Sequence, residues 1–181
     1  MKDLSMHIMD IVQNSVRAKA SNVELNIQLD SQWLEIKVVD DGTGMDADTL
    51  EKVTDPFYTS RTTRKVGLGI PLIKQNAELT NGEMILKSIL GKGTTLIAKF
   101  GLKHWDRPPI GNLSSTVAMM MTGNDGVNLQ FSLKRGADEF AISTNEVKEV
   151  MGDVDIRMPQ VTSFLKEMIE ENIKELNIEF D

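Results

Sequence analysis

Three short stretches of this sequence carry residue types whose spacing can do chemistry. Asp40-Asp41-Gly42-Thr43-Gly44-Met45 places a carboxylate where an alternating apolar run ends. Such a carboxylate can accept a hydrogen bond from an exocyclic amine, and glycines let a flat base approach the backbone closely. Gly67-Leu68-Gly69 opens a helical pattern. Backbone N–H groups there point out of the positive end of the helix and suit phosphate oxygens. Asp10 and Asn14 lie one helical turn apart. They can hold a water and a magnesium ion, which takes oxygen ligands and keeps several waters, so one amide oxygen plus phosphate oxygens suffices. Taken singly, each signal is weak. Asp-Gly after a strand is as a rule only a turn, Gly-x-Gly before a helix a hinge, and a polar helical pair a solvated face.

The elements that must position these residues are legible around them. Leu4, Ile8, Ile11, Val12 and Val16 have the spacing of one helix face, and His7, Asp10, Asn14 and Arg17 stack on another. His7, one turn before Asp10, reads as an incidental exposed histidine. Val23, Leu25, Ile27 and Leu29 alternate with polar residues, as do Leu34, Ile36 and Val38 after the Asp30-Ser31-Gln32 turn, predicting a strand pair. Asp46 is placed to cap a short helix through Val53. From Thr54 to Val66, Pro56 and the basic Arg61, Arg64 and Lys65 sit in a stretch without apolar period, expected to be a long lid-like loop. A helix follows Gly67-Leu68-Gly69, with Pro71 in its first turn and Asn81-Gly82 at its end. Met84–Leu90 and Thr95–Phe100 then pair as strands around Gly91-Lys92-Gly93.

A linker at 104–112, with Pro108-Pro109 and Gly111, precedes a small α+β extension over 113–181. Strands are expected near Thr116–Thr122, Val127–Lys134 and Glu139–Ser143, the first two joined by a Gly123-Asn124-Asp125-Gly126 hairpin turn. The Met119-Met120-Met121 run then reads as buried strand core rather than a malleable binding surface. A short helix over Asn145–Met151 and a long one over Pro159–Leu176 close the chain. The long helix has an apolar stripe from Val161 through Ile169 to Leu176. It can pack within the chain or against a second copy in a homodimer, and packing within the chain is the default.

Composition and the remaining motifs exclude several classes. A net charge of −7 without a compensating basic tract argues against non-specific nucleic-acid binding. With no cysteine, disulfides and thiolate metal sites are excluded, in keeping with a reducing cytoplasm. The N-terminus is too polar for a secretory signal, and no apolar run approaches a membrane span. A dinucleotide fingerprint fails because the stretch before Gly67 is not a strand and Leu72 fills the third glycine position. A Walker phosphate loop fails at Gly91-Lys92-Gly93, where Ser or Thr should stand at 93 and glycine at 86, which is Leu86.

The order of the motifs adds what each lacks alone. Asn14 on the opening helix comes first, then Asp40-x-Gly42-x-Gly44 after a strand, then the Pro56-Phe57 loop. Gly67-Leu68-Gly69 before a helix and Gly91-Lys92-Gly93-Thr94 in a hairpin complete the series. Over residues 1–103 this series resembles the GHKL, or Bergerat-fold, ATPases. Asp10-Ile-Val-Gln-Asn14 resembles the MutL and gyrase branch, while Asp55-Pro56-Phe57-Tyr58-Thr59-Ser60-Arg61 and Gly67-Leu68-Gly69-Ile70 look like the histidine-kinase form. The resemblance implies a Bergerat-type α/β sandwich, a mixed sheet with helices on one face, within an α+β chain. It implies that Asn14 binds magnesium and Asp40 reads the adenine amino group. Gly42, Gly44 and Met45 would shape the adenine pocket, Gly67, Leu68 and Gly69 would meet the phosphates, Thr94 would lie near adenine, and Arg61 would approach the triphosphate from the lid.

Two positions depart from the family pattern. Asp10 stands where the MutL and gyrase branch has a glutamate acting as general base, so its carboxylate is one methylene shorter. Histidine kinases usually carry asparagine there, so a carboxylate leans toward hydrolysis or phosphorylation of a hydroxyl, which require a base. Arg17 stands where MutL-like proteins have an acidic residue. No two-helix segment with a phosphoacceptor histidine precedes the opening helix, which weighs against self-contained histidine autophosphorylation. The expected function is therefore Mg-ATP binding with slow hydrolysis or phosphoryl transfer, regulating a protein partner. The alternatives are a non-catalytic ATP-gated switch and a protein-serine kinase like the anti-sigma regulators.

Overall fold

The computed structural model describes residues 2–54, 69–178 and 180. The opening helix α1 spans Leu4–Arg17, and Asp3 caps it by accepting a hydrogen bond from the Met6 N–H at 2.9 Å. Its Leu4, Ile8, Ile11 and Val12 are buried, at the i, i+4, i+7, i+8 spacing of one face. Strands β1 (Asn22–Leu29) and β2 (Trp33–Asp40) form an antiparallel hairpin. Its turn is fixed by Asp30, whose Oδ1 accepts from the Gln32 and Trp33 N–H groups at 2.7 Å each. Short helix α2 (Ala47–Lys52) is capped by Asp46, and α3 spans Gly69–Leu79. Strands β3 (Glu83–Ile89) and β4 (Gly93–Gly101) form a second hairpin.

Beyond residue 112 lie α4 (Leu113–Gly123), β5 (Asn128–Arg135), β6 (Asp138–Ser143), α5 (Thr144–Met151) and α6 (Pro159–Glu175). The stretch expected to be a strand near Thr116–Thr122 is therefore helical. Asn112 caps this helix by accepting from the Ser115 N–H. Thr116, Val117, Ala118, Met120, Met121 and Thr122 are all buried, so the helix is covered nearly all round and shows no polar face to betray its period. Gly123–Gly126 accordingly ends a helix rather than turning a hairpin, and Met120 and Met121 are buried on α4 while Met119 is exposed.

The strands form one mixed sheet in the order β3-β4-β2-β1-β5-β6, with β1 and β5 parallel and the other neighbours antiparallel. Register aligns an apolar row across it: Leu86, Leu96, Val38, Leu25, Phe131 and Ile142. Met84, Ala98, Ile36, Ile27, Leu133 and Phe140 make the next row. These rows meet α1, α3 and α4, while the opposite face carries Glu24, Asn26, Gln28, Lys37 and a Lys99–Glu35 ion pair at 3.5 Å. A sheet with one dry face and one wet face needs side chains of period two. The sequence supplies them.

The next row toward the end of the sheet breaks the apolar pattern. Ser88, Thr94 and Asp40 stand side by side before Val23 and Leu129 resume it. Polar groups on the inner face are costly unless bonded, so this row marks where the core gives way to a site.

Candidate functional site

Each polar group of that row has a defined partner. The Thr94 and Ser88 hydroxyls lie 2.9 Å apart, and the Ser88 Oγ accepts the Met45 N–H at 2.8 Å. Asp40 accepts three hydrogen bonds. Its Oδ1 takes the Gly42 N–H at 2.9 Å and the Thr94 N–H at 3.2 Å, and its Oδ2 takes the Ser15 hydroxyl at 2.7 Å. An ionised carboxylate offers about four acceptor directions, so one remains on Oδ2. Neighbouring Asp41 is spent on structure. It accepts from the Ser21 and Asn22 N–H groups and from the Asn22 side chain, and these bonds, the Asn22 backbone first, hold it below the usual carboxylate range.

The loop after β2 is clamped at close quarters. The Thr43 N–H donates to the Ala18 carbonyl of α1 at 2.8 Å, and the Gly91 N–H of the β3–β4 turn donates to Thr43 at 2.7 Å. Gly44 has φ +62°, and a Cβ there would lie 2.1 Å from the Ile89 carbonyl oxygen. A Cβ on Gly42 would meet Ala18 at 2.8 Å. Neither position has room for a side chain, and Gly44 and Met45 line an open space beside the loop.

That space is a cavity of about 360 Å³. Ile11, Ala18, Val38, Met45, Ile70, Leu86 and Leu96 supply apolar walls, with Asp40 and Thr94 among them and Asp10, Asn14 and Arg17 also lining it. Apolar walls around a few convergent polar groups, at this volume, are the usual make-up of a small-molecule site. Arg17 Nη2 donates to the Asn14 Oδ1 and lies 4.0 Å from an Asp10 carboxylate oxygen, so a metal ion on Asn14 must displace this guanidinium. Gly69 begins α3 directly against Asp10, where a Cβ would fall 1.9 Å from Oδ2. Among the described residues no group of three or more His, Asp or Glu is arranged to hold a metal. A magnesium ion here would rest on Asn14 and on oxygens of the ligand itself.

Of the residues singled out from the sequence, Asp10, Asn14, Asp40, Gly44, Met45 and Thr94 line the cavity, with Gly42 in its floor loop and Gly69 against Asp10. Arg61, Gly67 and Leu68, with the expected lid, lie outside the described residues. Ser15 and Ser88 were not anticipated. Ser15 follows Asn14 and reads as an ordinary helix residue, and Ser88 gains its place only through register with Thr94. His7 requires a correction. It is 1% exposed rather than on the solvent face, because α3 covers that side of α1.

Residues 2–104 match the family of histidine kinase-, DNA gyrase B-, and HSP90-like ATPases. The chain belongs to this family. A putative sensor protein of Shewanella frigidimarina is 28% identical over 109 residues, covering 58% of this chain and 17% of that protein. Sensor histidine kinase YxdK of Bacillus subtilis is 29% identical over 106 residues, covering 55% of this chain and 33% of that one. The chain thus spans a third or less of the length of these curated relatives. A crystal structure of the N-terminal domain of a DNA repair protein matches with a TM-score of 0.59 and 15% identity, over 87% of this chain and 59% of that one. At that identity the likeness speaks to the fold alone. The mixed six-stranded sheet with helices on one face is that of a GHKL ATP-binding domain, and no helix among the described residues is long and apolar enough to cross a membrane.

Proposed function

We propose that the chain binds Mg-ATP in the cavity beside Asp40 and hydrolyses it slowly or transfers its γ-phosphoryl group, regulating a protein partner. The observation that carries this reading is the single acceptor direction left on Asp40 after Gly42, Thr94 and Ser15 have taken the others. An exocyclic amine fills it, whereas the carbonyl oxygen of guanine would face a carboxylate. The apolar walls take the base on both faces, and Asn14 at the cavity edge supplies an amide oxygen to magnesium when its Arg17 partner is displaced. Magnesium would supply charge neutralisation of the phosphates there. Asp10 would take a proton from water or from an acceptor hydroxyl, and its contact with Gly69 keeps it beside the start of α3.

The competing reading is a non-catalytic switch, in which ATP changes what a partner binds and no base is needed. Incubation with γ-labelled ATP, following both released phosphate and label on protein, separates the classes. Released phosphate supports hydrolysis and label on an added protein supports transfer. Neither, with ATP bound and partner present, leaves the switch.

A further inference from the structure

Strand β3 ends the sheet, and among the described residues no strand lies beyond it. An edge strand leaves a row of N–H and C=O groups without ladder partners, and proteins blunt such edges with charge or brevity. The other edge, β6, is shorter and carries the exposed Asp138 and Glu139 side by side. Strand β3 has no such protection. Its seven residues run Glu83-Met84-Ile85-Leu86-Lys87-Ser88-Ile89, four of them apolar and one charged with each sign. Glu83, Ile85, Lys87 and Ile89 are exposed on the wet face, Ile85 by 37% and Ile89 by 60%. Met84 and Leu86, on the core face, are only partly buried. Neither Glu83 nor Lys87 has an ion-pair partner among the described residues.

We propose that β3 pairs antiparallel with β3 of a second copy of this chain, about a two-fold axis through Ile85, joining the two sheets into one. The ladder itself restricts the register. Facing residues in an antiparallel pair alternate in step between bonded and non-bonded pairs, so the axis falls on a residue and never between two. An axis on Lys87 sets two lysines face to face. On Leu86 it sets Glu83 against Ile89 and Lys87 against Ile85, and on Met84 it sets Glu83 against Ile85. An axis on Ile85 matches every side chain. Glu83 then faces Lys87 twice by symmetry, Ile85 faces its own copy, and Met84 faces Leu86 on the core side. Opposite charges and apolar groups set directly across from one another stabilise a sheet, and like charges there oppose it. The spacing of one acid and one base about an apolar centre therefore fits this strand to its own copy. A contact of this length makes a weak, concentration-dependent dimer.

Sedimentation velocity of the chain from about 1 μM to about 1 mM covers the range of a small interface. Wild type is expected to pass from monomer to dimer across it. Glu83→Lys and Lys87→Glu should each weaken the dimer about 10- to 30-fold, because each turns two opposite-charge pairs into two like-charge pairs. The double reversal, Glu83→Lys with Lys87→Glu, should recover wild-type association. Glu139→Lys on β6 makes the same change of charge and should not weaken it. Glu83→Lys also brings the net charge of −7 nearer zero, which by itself favours association, so a loss reads the specific contact. Both substituted side chains are exposed, and thermal melts of the variants should stay near wild type. A chain that is monomeric throughout overturns the proposal. So does a dimer indifferent to either single reversal, a double reversal that stays dissociated, or an equal loss in Glu139→Lys.

Discussion

Asp40→Asn is the perturbation whose outcome follows most directly from the geometry. The asparagine has the same shape, and its oxygen can stay where Oδ1 accepts the Gly42 and Thr94 N–H groups. Its amide nitrogen then takes the Oδ2 position, facing Ser15, whose hydroxyl can turn to accept instead of donate. The β2 end and its loop should therefore fold as before. The free direction is what changes, because an acceptor becomes a donor aimed at the adenine amine. Losing a charge-assisted hydrogen bond and leaving a donor unpaired costs about 2–3 kcal/mol, or roughly 30- to 150-fold in affinity. The same swap presents a donor to the guanine carbonyl, so preference for ADP over GDP should narrow. Calorimetry with both nucleotides reads this, beside a thermal melt that should stay near wild type. An unchanged ADP affinity in a folded variant would remove Asp40 from the site.

Three other outcomes follow. Asp10→Asn should leave ADP affinity nearly intact and reduce any turnover by about 10²- to 10⁴-fold, measured as phosphate release, and equal turnover would show that the shorter carboxylate does not act as base. Gly44→Ala, at φ +62° and 2.1 Å from the Ile89 carbonyl, should cost about 1–3 kcal/mol in urea unfolding, while Gly136→Ala, also at positive φ but with open space around it, should cost less. Burial pushes the His7 imidazole below its ordinary value against the raising pull of Asp10 and Asp3, whereas in the unfolded chain it titrates near 6.5. Below about pH 6.5 the unfolded chain thus takes up a proton that the native state refuses, and stability falls as pH drops toward the lower native value. Above it the His7 contribution is flat. Urea unfolding at several pH values should show a shallower acid loss in His7→Asn than in wild type, and identical slopes would refute the assignment.

Local chemistry made most of the first hundred residues legible. The α1 stripe, the two alternating hairpins and the Asp30 and Asp46 caps all declare themselves within a few residues, and the glycine-rich loop after Asp40 does the same. What escaped was non-local. The parallel pairing of β5 with β1 puts Leu129 beside Val23 with no turn between them to announce it. Helix α4 carries no helical signal in its sequence, because burial on nearly every side removes the polar face from which helical period is read. The same limit held at the site. Asp40 and Gly44 stand out as residues at a strand end, but the Ser15 and Ser88 hydroxyls that orient Asp40, Thr94 and Met45 matter only through contacts across 25 and 43 positions of chain. His7 looked exposed because its face of α1 carries polar residues, yet α3 lies over it.

The central claim is that the cavity beside Asp40 receives an adenine base. Calorimetric titration of the wild-type chain with ATP and with GTP, both with magnesium, tests it most directly. One ATP should bind per chain, and GTP should bind at least about 10-fold more weakly, the cost of setting a carbonyl oxygen against a carboxylate. GTP binding as tightly as ATP, or no saturable binding of either, would contradict the account.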